Sequence, residues 1–372
     1  MSVLKKAFRK LKINATSLQL EQMQAEIQSL QETIREYKEL QKQLEKQIKE
    51  LTITVLRNEK RNVNNHEKYS KKIGQLIKQC DKMYPSVMED IQQKEYEYNC
   101  SLPPELYEQE LKDFYKRKNG KDVNFENPVT LSEKITWMKL NDSTELKSLL
   151  ADKYRVRKWV EEKIGSQYLI PLLGTWEKFD DIDFDLLPEK FVLKCNHGSG
   201  MNVIVNDKKD FDRSTARRKI NKWMNTNYAF TAGLEMHYKN IKPVILAESF
   251  LATGDQLRDY KFLCFGGKVE YVWVDSDRHT NYTRAIFDRE WNVQPFRLQF
   301  PETPITPEKP EKLDEMIRIA ETLSAGFSFV RVDLYYINQT VYFGEMTFTS
   351  ENGSGEFSPP EYDKILGDKI KL

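Results

Sequence analysis

Residues 329–348 read FVRVDLYYINQTVYFGEMTF, two apolar, β-branched and aromatic runs on either side of Asn338-Gln339. This pattern predicts a β-hairpin with strands over Phe329–Ile337 and Thr340–Phe348. In such an antiparallel pair, Asp333 and Glu345 can project from one face. Adjacent carboxylates repel, and a divalent cation between them relieves the repulsion. Magnesium suits the position, because it takes a few carboxylates together with phosphate oxygens. The apolar neighbours Val332, Leu334 and Phe343 point to burial rather than to a solvated sheet face. Arg331 lies two residues from Asp333 and so shares its face. An arginine there would stabilise charge developing in phosphoryl transfer.

Further towards the N-terminus, Lys194-Cys195-Asn196-His197-Gly198-Ser199-Gly200 separates two short apolar runs, Phe191–Leu193 and Val203–Val205. Glycines let consecutive backbone N–H groups approach an anion, and a lysine beside them adds a charge suited to phosphate. The spacing is not that of a P-loop. A third feature is Ala247-Glu248-Ser249-Phe250-Leu251, a strand end followed by Gly254-Asp255 and then Asp259-Tyr260-Lys261-Phe262. A strand-to-loop backbone of this kind suits an adenine edge, and an acid suits ribose hydroxyls. Strands are expected over 244–251, 260–265 and 269–274. Helices are expected over 105–117, 131–139, 146–162, 214–225 and 310–324. Strands, helices and hairpins mixed in this way indicate an α+β enzyme.

Together these stretches resemble the ATP-grasp superfamily, and within it the TupA-like branch, named for teichuronopeptide biosynthesis. The resemblance is carried by Asn127–Lys134, Asp152–Arg157, Phe191–Gly200, Asp259–Phe262 and Arg331–Thr347, in order over roughly residues 105–372. It implies an α+β, ATP-grasp-like catalytic domain that uses ATP and Mg2+. By the same resemblance, Lys153 and Lys194 grip the phosphates, and His197, Gly198, Ser199 and Gly200 form the loop that closes over them. Glu248 to Leu251, with Phe250 among them, form the adenine hinge, and Asp255 is a ribose ligand. Asp333 and Glu345 hold the metal, and Arg331 and Lys261 lie near the transferred phosphoryl group. Many ATP-grasp enzymes close the metal site with Glu-x-Asn, whereas this chain has Glu345-Met346-Thr347; Asn352 is an alternative third ligand. The chemistry implied is activation of a carboxylate as an acyl phosphate, followed by attack of an amine. The branch implies a carboxylate-bearing sugar or polysaccharide precursor as substrate. A glycosyltransferase or sugar kinase of the same pathway is the competing enzyme reading, and a coiled-coil scaffold with an inactive nucleotide-binding domain is the competing structural one.

The first hundred residues differ in character. Leu20, Ile27, Ile34, Gln41, Ile48 and Val55 recur every seven positions, interleaved with Met23, Leu30, Tyr37, Leu44 and Leu51. A stripe of this kind predicts a coiled coil over 14–60 that self-associates, with the polar Gln41 selecting register. Residues 1–13 carry five basic residues and no acid, with Leu4, Phe8 and Leu11 on one helical face. That basic lead-in suits peripheral contact with the inner membrane surface. Residues 61–104 are expected to be a helical connector, and 105–372 the catalytic domain. Overall, 58 Lys and Arg against 57 Asp and Glu leave no electrostatic footprint for nucleic acid. Four scattered cysteines and the absence of a signal peptide or an 18-residue apolar run lead to the expectation of a cytoplasmic protein, membrane-associated through its basic segment.

Overall fold

A computed structural model describes residues 92–251, 258–276, 283–301, 303 and 306–372. The predicted coiled coil, the basic lead-in and most of the connector lie outside the described residues. Within them, a helix over 92–101 leads into α2 (Tyr107–Asn119), α3 (Leu131–Asn141), α4 (Glu145–Ala151) and α5 (Val156–Ile164). Taking the 92–101 helix as α1, the remaining helices are α6 (Arg213–Met224), α7 (Leu313–Ser324) and α8 (Glu361–Gly367). The mixed α+β architecture expected of the catalytic domain is present.

Two antiparallel sheets organise this unit. The smaller is built of β1 (Leu172–Trp176), β2 (Phe191–Cys195), β3 (Asn202–Val205) and β4 (Ile245–Ser249), in the order β1-β4-β2-β3. Phe191, Leu193 and Cys195 alternate on one face of β2 and pack with Ala216 and Ile220 of α6. Val192 and Lys194 take the opposite face, together with Glu248, which pairs with Val192 across the ladder.

The larger sheet contains β5 (Asp259–Phe265), β6 (Lys268–Ser276), β7 (Thr283–Asp288), β9 (Phe329–Ile337) and β10 (Thr340–Thr347), in the order β10-β9-β5-β6-β7. A short pair, β8 (Arg297–Leu298) with β11 (Phe357–Ser358), lies apart from it. One face is apolar throughout: Tyr260, Phe262, Val272, Val274, Phe287, Val330, Val332 and Leu334 join Leu313, Met316, Ala320 and Leu323 of α7 in one core. The other face divides along the strands. At one end Leu263, Phe265, Trp273, Ile286 and Phe329 pack against Leu131, Ile135 and Met138 of α3 and Leu366 of α8. At the other end the same alternation presents Asp259 and Lys261, Asp275, Arg284, Arg331 and Asp333, all buried. The site is this charged end of an otherwise apolar face.

The predicted hairpin is present, with Asn338 and Gln339 both at positive φ (49° and 61°), as a tight two-residue turn requires. Unbroken pairing from that turn would set Asp333 opposite Gly344 and send Glu345 to the other face. The register instead shifts between Phe343 and Glu345, and Glu345 pairs directly with Asp333. A bulge at Gly344 therefore brings the two carboxylates together. A side chain does not fit there, since a Cβ on Gly344 would stand 2.9 Å from the Asp333 carbonyl oxygen and 3.2 Å from the Tyr335 ring.

The continuous helix expected over 146–162 is broken. Asp152 turns the chain after α4: its carboxylate accepts from the main-chain N–H of Tyr154 (2.9 Å) and Arg155 (3.1 Å). Local hydrogen bonding by an aspartate competes with the helical ladder and wins here. The Lys153 main-chain N–H donates to the Asn196 carbonyl at 3.0 Å, tying this turn to the glycine loop. Strands β1 and β7 and helix α8, absent from the sequence expectations, complete the sheets and cover the apolar face.

Gly344→Ala should cost about 1–3 kcal/mol through overpacking. It should lower the melting temperature of the full chain while disturbing the facing of Asp333 and Glu345. Unaltered thermal stability, measured by calorimetry, would show that the bulge does not need glycine.

Candidate active site

Asp333 and Glu345 sit side by side on β9 and β10, and cations surround them. Arg331 bonds Asp333 with two nitrogens, Nε to Oδ1 at 2.7 Å and Nη2 to Oδ2 at 2.8 Å. Its Nη2 also lies 3.5 Å from Glu345. Lys261 on β5, directly paired with Asp333 in the ladder, places its ammonium 3.1 Å from the Asp333 carboxylate. The same ammonium contacts Asp259, and Asp275 at 3.6 Å. Lys153 reaches Glu345 at 3.2 Å from the turn between α4 and α5. Burial opposes ionisation of Glu345, but the charges of Lys153, Arg331 and Lys261 outweigh it and hold the carboxyl well below its usual range. Glu345 is thus presented as a carboxylate.

The loop between β2 and β3 faces this cluster through Lys153, whose ammonium donates to the Gly198 carbonyl at 2.7 Å. Gly198 lies against the Tyr228 ring, where a Cβ would come within 2.5 Å of it, and Gly200 has φ 71°. Gly198, Ser199 and Gly200 thus form a turn anchored at one side by Lys153. His197, at the start of the loop, turns its side chain inward. Its ring is buried, with Nε2 3.0 Å from the Trp223 carbonyl and Nδ1 3.3 Å from Asn196. Burial lowers its basicity. Both ring nitrogens face protein groups, so His197 anchors the loop and contributes no cation to it.

Lys194 lies on β2, not in the glycine turn, and its ammonium contacts Glu248 at 2.6 Å. Arg157 of α5 grips the other oxygen of Glu248 at 3.0 Å and donates to the Ile170 carbonyl at 2.8 Å. The Glu248 side chain therefore positions Lys194 and Arg157. Phe250 is half-buried just beyond β4, and Asp255 lies outside the described residues.

Thr347 Oγ1 is 3.0 Å from Glu345 and 3.2 Å from Arg331, within the cluster. Asn352, the alternative third ligand, is turned away: its amide donates to the Ala232 carbonyl at 3.3 Å, and its main-chain carbonyl accepts from the buried Lys139 at 2.8 Å. Burial lowers the Lys139 ammonium to about 8.

Asp259, Asp275, Arg284, Arg157 and Glu351 extend the cluster and were not singled out as site residues from the sequence. For Asp259, Asp275 and Arg284 a signal was present, a charged residue in a strand that is otherwise mostly apolar; Arg157 on α5 and Glu351 in a turn carried no such signal. Among the described residues, no group of three His, Cys, Asp or Glu is placed to hold a metal by protein ligands alone. Two adjacent carboxylates fit magnesium, which takes its remaining ligands from substrate phosphates and water. The lysines and Arg331 around them suit those phosphates. Among the described residues no helix is long and apolar enough to cross a membrane.

A family model described as TupA-like ATPgrasp matches residues 133–371. Among solved structures, the chain is similar to a D-alanine–D-alanine ligase from Bacillus anthracis complexed with ATP, at 17% identity and a TM-score of 0.34, covering 60% of this chain and 63% of that one. It is also similar to an L-amino acid ligase from Bacillus licheniformis, at 14% identity and a TM-score of 0.40, covering 64% of this chain and 55% of that one. The chain thus spans less than two thirds of the length of either ligase. No curated protein matches the sequence.

Lys194→Ala should weaken binding of magnesium-ATP by roughly 1.5–3 kcal/mol, the loss of a charge-assisted hydrogen bond. Titration calorimetry reads this directly. Unchanged affinity would remove Lys194 from the phosphate site.

Proposed function

Because the chain belongs to the TupA-like ATP-grasp family, we propose that it is a magnesium- and ATP-dependent ligase that joins a carboxylate to an amine. One observation carries the reading: Asp333 and Glu345 face each other in register, inside a set of cations formed by Lys153, Lys261 and Arg331. ATP and Mg2+ are the cofactors of ATP-grasp ligases. Asp333 and Glu345 would hold the metal, which supplies Lewis-acid neutralisation of the phosphates. Lys153, Lys194 and the backbone of Gly198–Gly200 bind the phosphates, and the main chain from Glu248 to Leu251 receives the adenine edge.

In the reaction, a substrate carboxylate oxygen attacks the γ-phosphorus of ATP. The bond to the β-phosphate oxygen breaks, giving an acyl phosphate and ADP. Arg331 and Lys261 stabilise the charge on the transferred phosphoryl oxygens. An amine then attacks the acyl carbon, phosphate leaves, and the amine gives up a proton. The TupA-like branch supports a setting in synthesis or decoration of a cell-surface polysaccharide, with a uronic acid as the natural carboxylate and an amino acid or amino sugar as the amine. Residues 14–60 would pair copies of the chain, and residues 1–13 would bring them to the inner membrane surface.

Asp333→Asn and Glu345→Gln should each abolish carboxylate-dependent release of ADP while leaving the circular dichroism spectrum intact. Hydroxylamine, which traps acyl phosphates as hydroxamates, is the amine for the assay, with a panel of uronic acids. Wild-type turnover in either variant would remove that residue from the metal site. ADP release that requires an alcohol rather than a carboxylate would point to a kinase instead.

A further inference from the structure

We propose that Arg284 and Arg331 form the seat for the carboxylate that is activated, and that the protein's own Glu351 fills it until substrate arrives. This rests on the ligase reading and specifies where that ligase holds its acyl substrate. Glu351 Oε1 lies 3.0 Å from Arg284 Nη1 and 3.9 Å from Arg331 Nη1. The Arg331 guanidinium is the one bound to Asp333 at 2.7 Å and facing Glu345 at 3.5 Å. A carboxylate in this seat therefore borders the metal pair, where the γ-phosphate must lie for an oxygen to attack it.

The two arginines are built to keep their places. Arg284 is buried on β7 and bonds Asp275 with two nitrogens, at 2.7 and 3.2 Å. Its guanidinium lies over the rings of Trp273 at 4.6 Å and Phe300 at 4.9 Å. A planar, delocalised cation locked in this way is pre-organised for a carboxylate.

Glu351 is held differently. It begins a run of three residues in the left-handed region, with φ of 49° at Glu351, 55° at Asn352 and 65° at Gly353. Two of these are not glycine, and such backbone persists when its surroundings enforce it. The enforcing contacts grip the neighbours. Thr349 bonds the buried Glu235, and Ser350 Oγ accepts from Arg331 at 3.2 Å. Lys139 and Asn119 hold the carbonyls of Asn352 and Gly353 at 2.8 and 3.4 Å. The turn is fixed from both sides and carries the Glu351 side chain, about 18% exposed, onto the two arginines. An incoming carboxylate has the same charge and shape as the group it replaces. Exchange leaves the charge balance of the face unchanged, whereas withdrawal of Glu351 alone would remove one negative charge from beside both guanidiniums.

Acetate, tested against the same concentration of chloride, probes the seat without knowledge of the true substrate. In the full chain with Glu351→Ala, acetate should raise the melting temperature by about 2 °C more than chloride does. In the double variant Arg284→Lys with Glu351→Ala, that difference should disappear, because lysine keeps the charge but loses the planar fork. If Glu351→Ala does not fold, Glu351→Gln gives the same comparison with a smaller rise. Equal acetate response in the single and double variants, or none in either single variant, would overturn the seat. The ligase reading fails separately, if the wild-type chain binds ATP but forms no hydroxamate from any uronic acid, even where acetate occupies the seat.

Discussion

Asp333 and Glu345 stand side by side on neighbouring strands, and two carboxylates so placed repel unless positive charge lies between or around them. The surrounding structure answers that constraint. Lys153 comes from a helix-breaking turn, Lys261 from the adjacent strand and Arg331 from two residues away on the same strand. Lys261 is itself placed by further acids, Asp259 and Asp275, and Asp275 with Glu351 holds a further cation, Arg284. Charge thus alternates across the strands of the large sheet. Removing any one partner would unbalance buried charge on this face, which is costly.

The apolar architecture makes such a face possible. The large sheet has one wholly apolar side covered by α7, so it does not depend on its second side for cohesion. Half of that second side is packed by α3 and α8, which leaves the other half for charge. α3 does more than cover the sheet. Its Lys134 donates to the Gly367 and Ile370 carbonyls, and its Lys139 to the carbonyl of Asn352. The stretch around Asn127–Lys134, which helped to mark the family resemblance, therefore starts a helix that packs beside the charged cluster on the same face of the sheet.

Much of this was legible in the sequence, and the limits are physical. The hairpin and its turn could be read from period-two alternation and from Asn338-Gln339. The bulge at Gly344 could not, because an extra residue in one strand leaves the composition of the run unchanged. Lys153 was marked through resemblance, yet the helical periodicity of 146–162 hid the turn at Asp152 that aims it. His197 and Asn352 have residue types common in binding sites, and their tertiary hydrogen bonds turn them to structural work. Arg284 and Glu351 are 67 residues apart, and a contact at that separation leaves no local trace.

The central claim is that Asp333 and Glu345, set side by side among surrounding cations, hold a divalent metal together with nucleotide. Electron paramagnetic resonance of Mn2+ titrated into the full chain tests it most directly. The account predicts little binding of Mn2+ by the protein alone, tight binding once ATP is added, and loss of that nucleotide-dependent site in Asp333→Asn. Equal Mn2+ binding by wild type and Asp333→Asn in the presence of ATP would contradict it.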